Sequence, residues 1–131
     1  METNLTIFLV EDSEQIRDLL IQSVNETGLG SVIGCAETED EAVSEILRLR
    51  PDAVVLDIQL SVGNGLNVLK KIRTLLQDSM PAVIVYTDYA IAEFSRRADY
   101  LGARYFLDKA SDLNYLRGLL RTLGERPQTS L

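Results

Sequence analysis

A chain of 131 residues has room for one domain that buries roughly two thirds of its unfolded surface, so no disulfide or metal staple is required. With 46% hydrophobic and 25% charged residues it has the composition of an ordinary globular domain, which argues against a disordered chain. A formal charge of −7, from 20 acidic and 13 basic residues, gives no electrostatic reason to bind nucleic acid or an anionic membrane directly, and the lack of histidine excludes a phosphohistidine on this chain.

In chain order, the run LTIFLV at 5–10 predicts a buried strand that stops at Glu11-Asp12-Ser13. Asp12 or Ser13 can cap the helix that follows, where Ile16, Leu19, Leu20 and Val24 recur at helical spacing up to a stop at Gly28. The pattern repeats with a strand at 31–36, a helix at 39–49 and a break at Pro51. A strand at 53–57 (AVVLD), a loop with Gly63 and Gly65, and a helix at 65–76 make a third unit. The fourth is a strand at 82–86 followed by a helix at 90–101, and the fifth a strand at 104–107 followed by a helix at 112–123. Five alternating strand–helix units with short loops predict an α/β fold, a doubly wound parallel sheet covered on both faces. One domain is expected over residues 1–124, and the tail 125–131, with little to bury, reads as a frayed end or the start of a linker.

Cys35, the lone cysteine, reads as a small buried thiol and fits a reducing cytoplasm. The first four residues lack the basic-then-apolar pattern of a signal, and no stretch approaches the roughly 18 apolar residues of a membrane span. The expected location is therefore cytoplasmic, away from the membrane.

Ligands of an open parallel sheet bind beyond the carboxyl ends of its strands. Those ends carry Glu11 and Asp12, Asp57, Thr87, and Lys109. Carboxylates a few ångströms apart repel by about 1 to 4 kcal/mol per pair, so a cation must compensate. Mg²⁺ together with Lys109 would do so, since magnesium favours hard oxygen ligands and no histidine or thiolate competes here. Each residue alone has an ordinary reading: Asp12 as a helix cap, Thr87 as a strand former, Lys109 as a solvated charge, Gly65 as a turn residue. Their joint placement outweighs those readings.

The acidic pair Glu11-Asp12, the acceptor in VVLDIQL, the glycine of NGL, Thr87 in VIVYTD and Lys109 in YFLDKA resemble the receiver domains of two-component signalling. The resemblance runs from about Asn4 to Leu123. It implies a five-stranded (βα)5, flavodoxin-like fold with strand order 2-1-3-4-5. It also implies a Mg²⁺-dependent phosphorylation switch in which Asp57 accepts a phosphoryl group from a histidine kinase or histidine phosphotransfer protein. Asp12, Asp57 and the backbone carbonyl of Gln59 would bind the metal, with Glu11 in support. Thr87 and Lys109 would bind phosphoryl oxygens. Tyr105 would be the aromatic switch residue, and the surface of the fourth helix, fifth strand and fifth helix would serve an output domain, an effector or a homodimer. Arg96, Arg97, Arg117 and Arg121 could contribute to that surface, although each taken singly reads as a solvated helix charge. The chain would assist only its own phosphorylation and dephosphorylation, and would not be an enzyme acting on an external substrate.

Three positions depart from the family pattern. Ser61 and Ala110 stand where proline is frequent, so the acceptor loop loses some stiffness and Lys109 must be placed by other contacts. Asp88 follows the switch threonine where a small residue is usual, and is expected to modulate access by charge and bulk. The alternative is a pseudo-receiver, a binding module without effective phosphorylation, against which the full acidic–Asp–Thr–Lys set argues. An aspartate-nucleophile phosphatase would need a carboxylate where Gln59 stands. A flavin carrier would need a phosphate loop where the chain has Glu11-Asp12-Ser13-Glu14.

Overall fold

The computed structural model describes residues 4–28 and 30–125. Along the chain these form β1 (Leu5–Val10), α1 (Glu14–Thr27), β2 (Gly30–Ala36), α2 (Glu39–Leu49), β3 (Ala53–Leu56), α3 (Gly65–Leu76), β4 (Ala82–Thr87), α4 (Ala92–Tyr100), β5 (Tyr105–Asp108) and α5 (Leu113–Glu125). The strands pair in parallel in the order β2-β1-β3-β4-β5. This is the expected doubly wound, flavodoxin-like α/β sheet.

Alternation along the strands divides the core in two. Phe8, Val10, Val54, Leu56, Val83 and Val85 point to one face, where Ala42 and Ile46 of α2, Leu69 and Ile72 of α3 and Ala98 of α4 cover them. Ile7, Leu9, Val55, Ile84 and Tyr86 point to the other, under Leu20 and Val24 of α1 and Leu116 and Leu120 of α5. The central strands read as unbroken apolar runs because both of their faces are buried. β2 is an edge strand, and its register against β1 slips once: Ile7 pairs with Val32 and Phe8 with Gly34, so Ile33 is skipped. Gly34 belongs at this bulge, since a Cβ there would come 2.8 Å from the Phe8 ring.

Local chemistry sets the helix ends. Ser13, rather than Asp12, caps α1, its Oγ accepting from Ile16 N–H, and Gly28 closes the helix at φ +67°. Asp12 is thereby left exposed, with its side chain unused by the cap. α4 begins at Ala92 instead of 90 because the preceding backbone is committed elsewhere: Tyr89 N–H donates to Thr87 Oγ1 and Ile91 N–H to Tyr89 O. α5 runs to Glu125, and the remainder of the expected tail, 126–131, lies outside the described residues. No helix among the described residues is long and apolar enough to cross a membrane.

Candidate functional site

The chain leaves β1 for one face of the sheet and β3 for the other, which opens a crevice beyond their carboxyl ends. Glu11 follows β1, its N–H bonded to Ala36 O at 2.9 Å, and Asp57 follows β3, its N–H bonded to Val10 O at 2.9 Å. Both carboxylates are buried, while Asp12 faces solvent. Oxygens of Glu11, Asp12 and Asp57 all lie within 4.8 Å of one another.

Lys109 enters from the end of β5, anchored by its N–H on Thr87 O at 3.0 Å. Its ammonium sits 2.8 Å from Glu11 Oε1 and 2.8 Å from Asp57 Oδ2. Burial pushes the Glu11 carboxyl above its ordinary range, and the Lys109 ion pair and the Ser13 N–H only partly offset this. For Lys109, burial pulls the other way, but hydrogen bonds and charge from Asp57 and Glu11 outweigh it and raise its pKa. Lys109 is therefore a fixed cation at neutral pH. Three carboxylates against one ammonium leave a formal charge of −2, which suits a divalent cation, and the all-oxygen donor set suits a hard one.

The other expected residues are placed by contacts of their own. Gln59 is exposed and its N–H reaches Asp57 Oδ1 at 3.4 Å. Thr87 ends β4 fully buried, with Oγ1 accepting from Tyr89 N–H at 3.1 Å. Asp88, next in the chain, is exposed. Tyr105 is half-buried and pairs in register with Ile84, its ring packed on the α1/α5 side of the sheet. Arg117 does not simply face solvent, because its Nε donates to the buried Ser23 Oγ of α1 at 3.0 Å.

At both positions where proline is common in such loops, polar contacts hold the chain. Ser61 gives its N–H (3.2 Å) and its hydroxyl (3.0 Å) to Glu37 O, tying the loop after β3 to the loop after β2. Beyond Lys109, Ala110 N–H donates to Asp108 Oδ1 at 2.9 Å and Asp108 N–H to Asp112 Oδ2 at 2.8 Å. These bonds are the other contacts that place the lysine. Gly65 is more than a turn residue: α3 starts so close to the end of β3 that a Cβ on Gly65 would lie 2.0 Å from Asp57 O.

Sequence reasoning passed over Arg17 and Glu39. Arg17 bridges Glu11 O (2.9 Å) and the Glu37 carboxylate (3.0 Å). Glu39 reaches from α2 to the start of α3. Nothing local in the sequence signals either, since an acidic first turn and a basic helix side chain are ordinary features of helices.

Comparison with known proteins gives the same picture. The family model described as the response regulator receiver domain matches residues 7–121. A protein-glutamate methylesterase/protein-glutamine glutaminase of Syntrophus aciditrophicus is 31% identical, over 82% of this chain and 31% of that protein. The sensory transduction protein LytT of Bacillus cereus is 36% identical, over 74% of this chain and 40% of that protein. The chain thus spans less than half of either relative. The non-phosphorylated HemR receiver domain of Leptospira biflexa superposes with a TM-score of 0.82 at 26% identity, over 98% of this chain and 100% of that one. With its strand order, its acidic crevice and a family match covering nearly the whole chain, this protein belongs to the response regulator receiver domains of two-component systems.

Proposed function

We propose that this receiver is switched by phosphorylation of Asp57, with a histidine kinase or histidine phosphotransfer protein as donor. The observation that carries the reading is the Lys109 ammonium held 2.8 Å from both the Asp57 and Glu11 carboxylates, with Asp12 in the same cluster. An Asp57 carboxylate oxygen attacks phosphorus, the P–N bond to the donor imidazole breaks, and the imidazole leaves with the electron pair. An acyl phosphate results. Mg²⁺ held by Asp12, Asp57 and the Gln59 carbonyl, with Glu11 in support, would neutralise charge on the transferring group. Lys109 moves from Asp57 Oδ2 to a phosphoryl oxygen.

Thr87 is suited to respond. Its oxygen already accepts from Tyr89 N–H, which leaves the hydroxyl proton to donate to the new phosphoryl group. Because that same bond tethers Tyr89, displacement of Thr87 carries the segment before α4 with it. That displacement would shift the α4–β5–α5 surface toward an output domain, an effector or a second receiver, biasing an existing equilibrium, with Tyr105, on the α1/α5 side of the sheet, belonging to the α5 flank of that surface instead of filling space beside Thr87. The chain's own chemistry is limited to gaining and losing this phosphoryl group, in a reducing cytoplasm, without direct contact to nucleic acid or membrane.

Intact-mass measurement with acetyl phosphate and Mg²⁺ tests the reading. Wild type is expected to gain one phosphoryl group that is lost in Asp57→Asn and in EDTA. Label that persists in Asp57→Asn would place the acceptor elsewhere. In the same assay Asp88→Ala is expected to be labelled faster, because a carboxylate at the mouth repels the anionic donor, and equal rates would remove Asp88 from the site.

A further inference from the structure

The loop between β3 and α3 carries Gln59 on one side and the α3 cap Asn64 on the other, and the two pair as an isolated antiparallel bridge. This loop is not anchored by its own sequence alone. Val62 pairs with Thr38 of the loop after β2, and its carbonyl accepts from Glu39 N–H at 2.9 Å. The Glu39 side chain, 13% exposed, then returns to the loop's far end. Its Oε1 accepts from Asn64 N–H at 3.1 Å and from Asn67 Nδ2 at 3.3 Å, and its Oε2 from Lys71 Nζ at 2.7 Å. Asn64 Oδ1 in turn caps α3 through Asn67 N–H at 2.9 Å. Space is shaped to match, because Gly63 has φ +83° and a Cβ there would fall 2.4 Å from Glu39 Cβ.

A single carboxylate with three donors on one loop and its helix is more than a surface ion pair, which by itself contributes little. Removing it frees the Asn64 N–H and so loosens the residue that faces Gln59 in the bridge, leaving the neighbouring Gly65 N–H to Ile58 O bond (2.7 Å) to hold the loop against α3. We infer that Glu39 is a positioning residue: it fixes the loop that presents the Gln59 carbonyl, and so sets the affinity of the acidic crevice for a divalent cation. The inference rests on the reading of Gln59 as a metal-binding position. Groups that orient metal ligands without touching the metal commonly change affinity about tenfold or more when removed.

Calorimetric titration of the protein with Mg²⁺, on variants shown to be folded by their unfolding curves, is the test. Glu39→Ala is expected to bind Mg²⁺ about tenfold more weakly, and Glu39→Gln, which keeps an acceptor but loses the Lys71 ion pair, about threefold. Should Glu39→Ala not fold, Glu39→Gln decides. Asp40→Asn removes the same charge one residue away from an exposed side chain, so a loss caused by the electrostatic field alone would appear there equally, whereas positioning predicts affinity close to wild type. Wild-type affinity in both Glu39 variants, or an equal loss in Asp40→Asn, overturns the inference. A wild-type protein that binds no Mg²⁺ instead overturns the metal reading on which it stands.

Discussion

Gly65→Ala is expected to lower the unfolding free energy by more than about 3 kcal/mol, among the largest effects a single methyl group can have. Its Cβ would sit 2.0 Å from Asp57 O and 3.0 Å from Ile58 Cα, both backbone atoms with no flexible end to yield. Relief requires either α3 to back away, breaking the 2.7 Å bond from Gly65 N–H to Ile58 O, or the Asp57 segment to move out of line with Lys109. Urea unfolding measures the first and acyl-phosphate formation the second, and a variant with both near wild type would contradict the packing. Gly118→Ala is the matched control. Gly118 lies within α5 with nothing inside 4 Å of its would-be Cβ, so alanine there should stabilise by about 0.5–1 kcal/mol through helix propensity.

Lys109→Met is expected to cost about 3 kcal/mol in EDTA, because it leaves two buried carboxylates without their cation. Most of that loss should return in Mg²⁺, since a divalent cation held among Glu11, Asp12 and Asp57 would supply the missing positive charge. Labelling by acetyl phosphate should nonetheless fall by about 10²-fold even in saturating Mg²⁺, because the charged donor to the phosphoryl oxygens is lost and only the neutral Thr87 hydroxyl remains. Equal destabilisation with and without Mg²⁺ would sink the argument. The wild-type pH profile has a defined sign. Lys109 is raised above its ordinary 10.5, so its contribution is complete below that value and is lost only as pH rises through the higher folded value. Alkaline titration up to pH 10 should therefore show no loss of stability from this group.

Much of this was legible in the sequence. Strand ends could be read because apolar runs stop abruptly at polar residues, and a parallel sheet puts those stops on one rim. Glu11, Asp57, Thr87 and Lys109 were found that way. Boundaries were less legible where a side chain competes with the helix for backbone. Ala90 and Ile91 suit a helix, but Thr87 Oγ1 holds Tyr89 N–H and delays α4. Ser61 could be seen as an absent proline. That its N–H and hydroxyl would both bind Glu37 O, 24 residues earlier, could not. Glu39 is a similar case, because its partner Asn64 is 25 residues away and no periodicity links them. Arg117 looked like a solvated charge because the hydroxyl that receives it belongs to α1, 94 residues earlier.

The skipped Ile33 in β2 bears on how the molecule behaves in a crowd. An edge strand offers its unpaired backbone groups to any other extended chain, and a straight one is a template for stacking copies end on end. One extra residue in β2 bends that edge and puts its outer donors and acceptors out of step with an incoming strand. The bent β2 edge therefore resists extension of the sheet by a neighbour, and on the proposed reading association between copies would fall to the opposite side of the molecule, where β5 lies between α4 and α5.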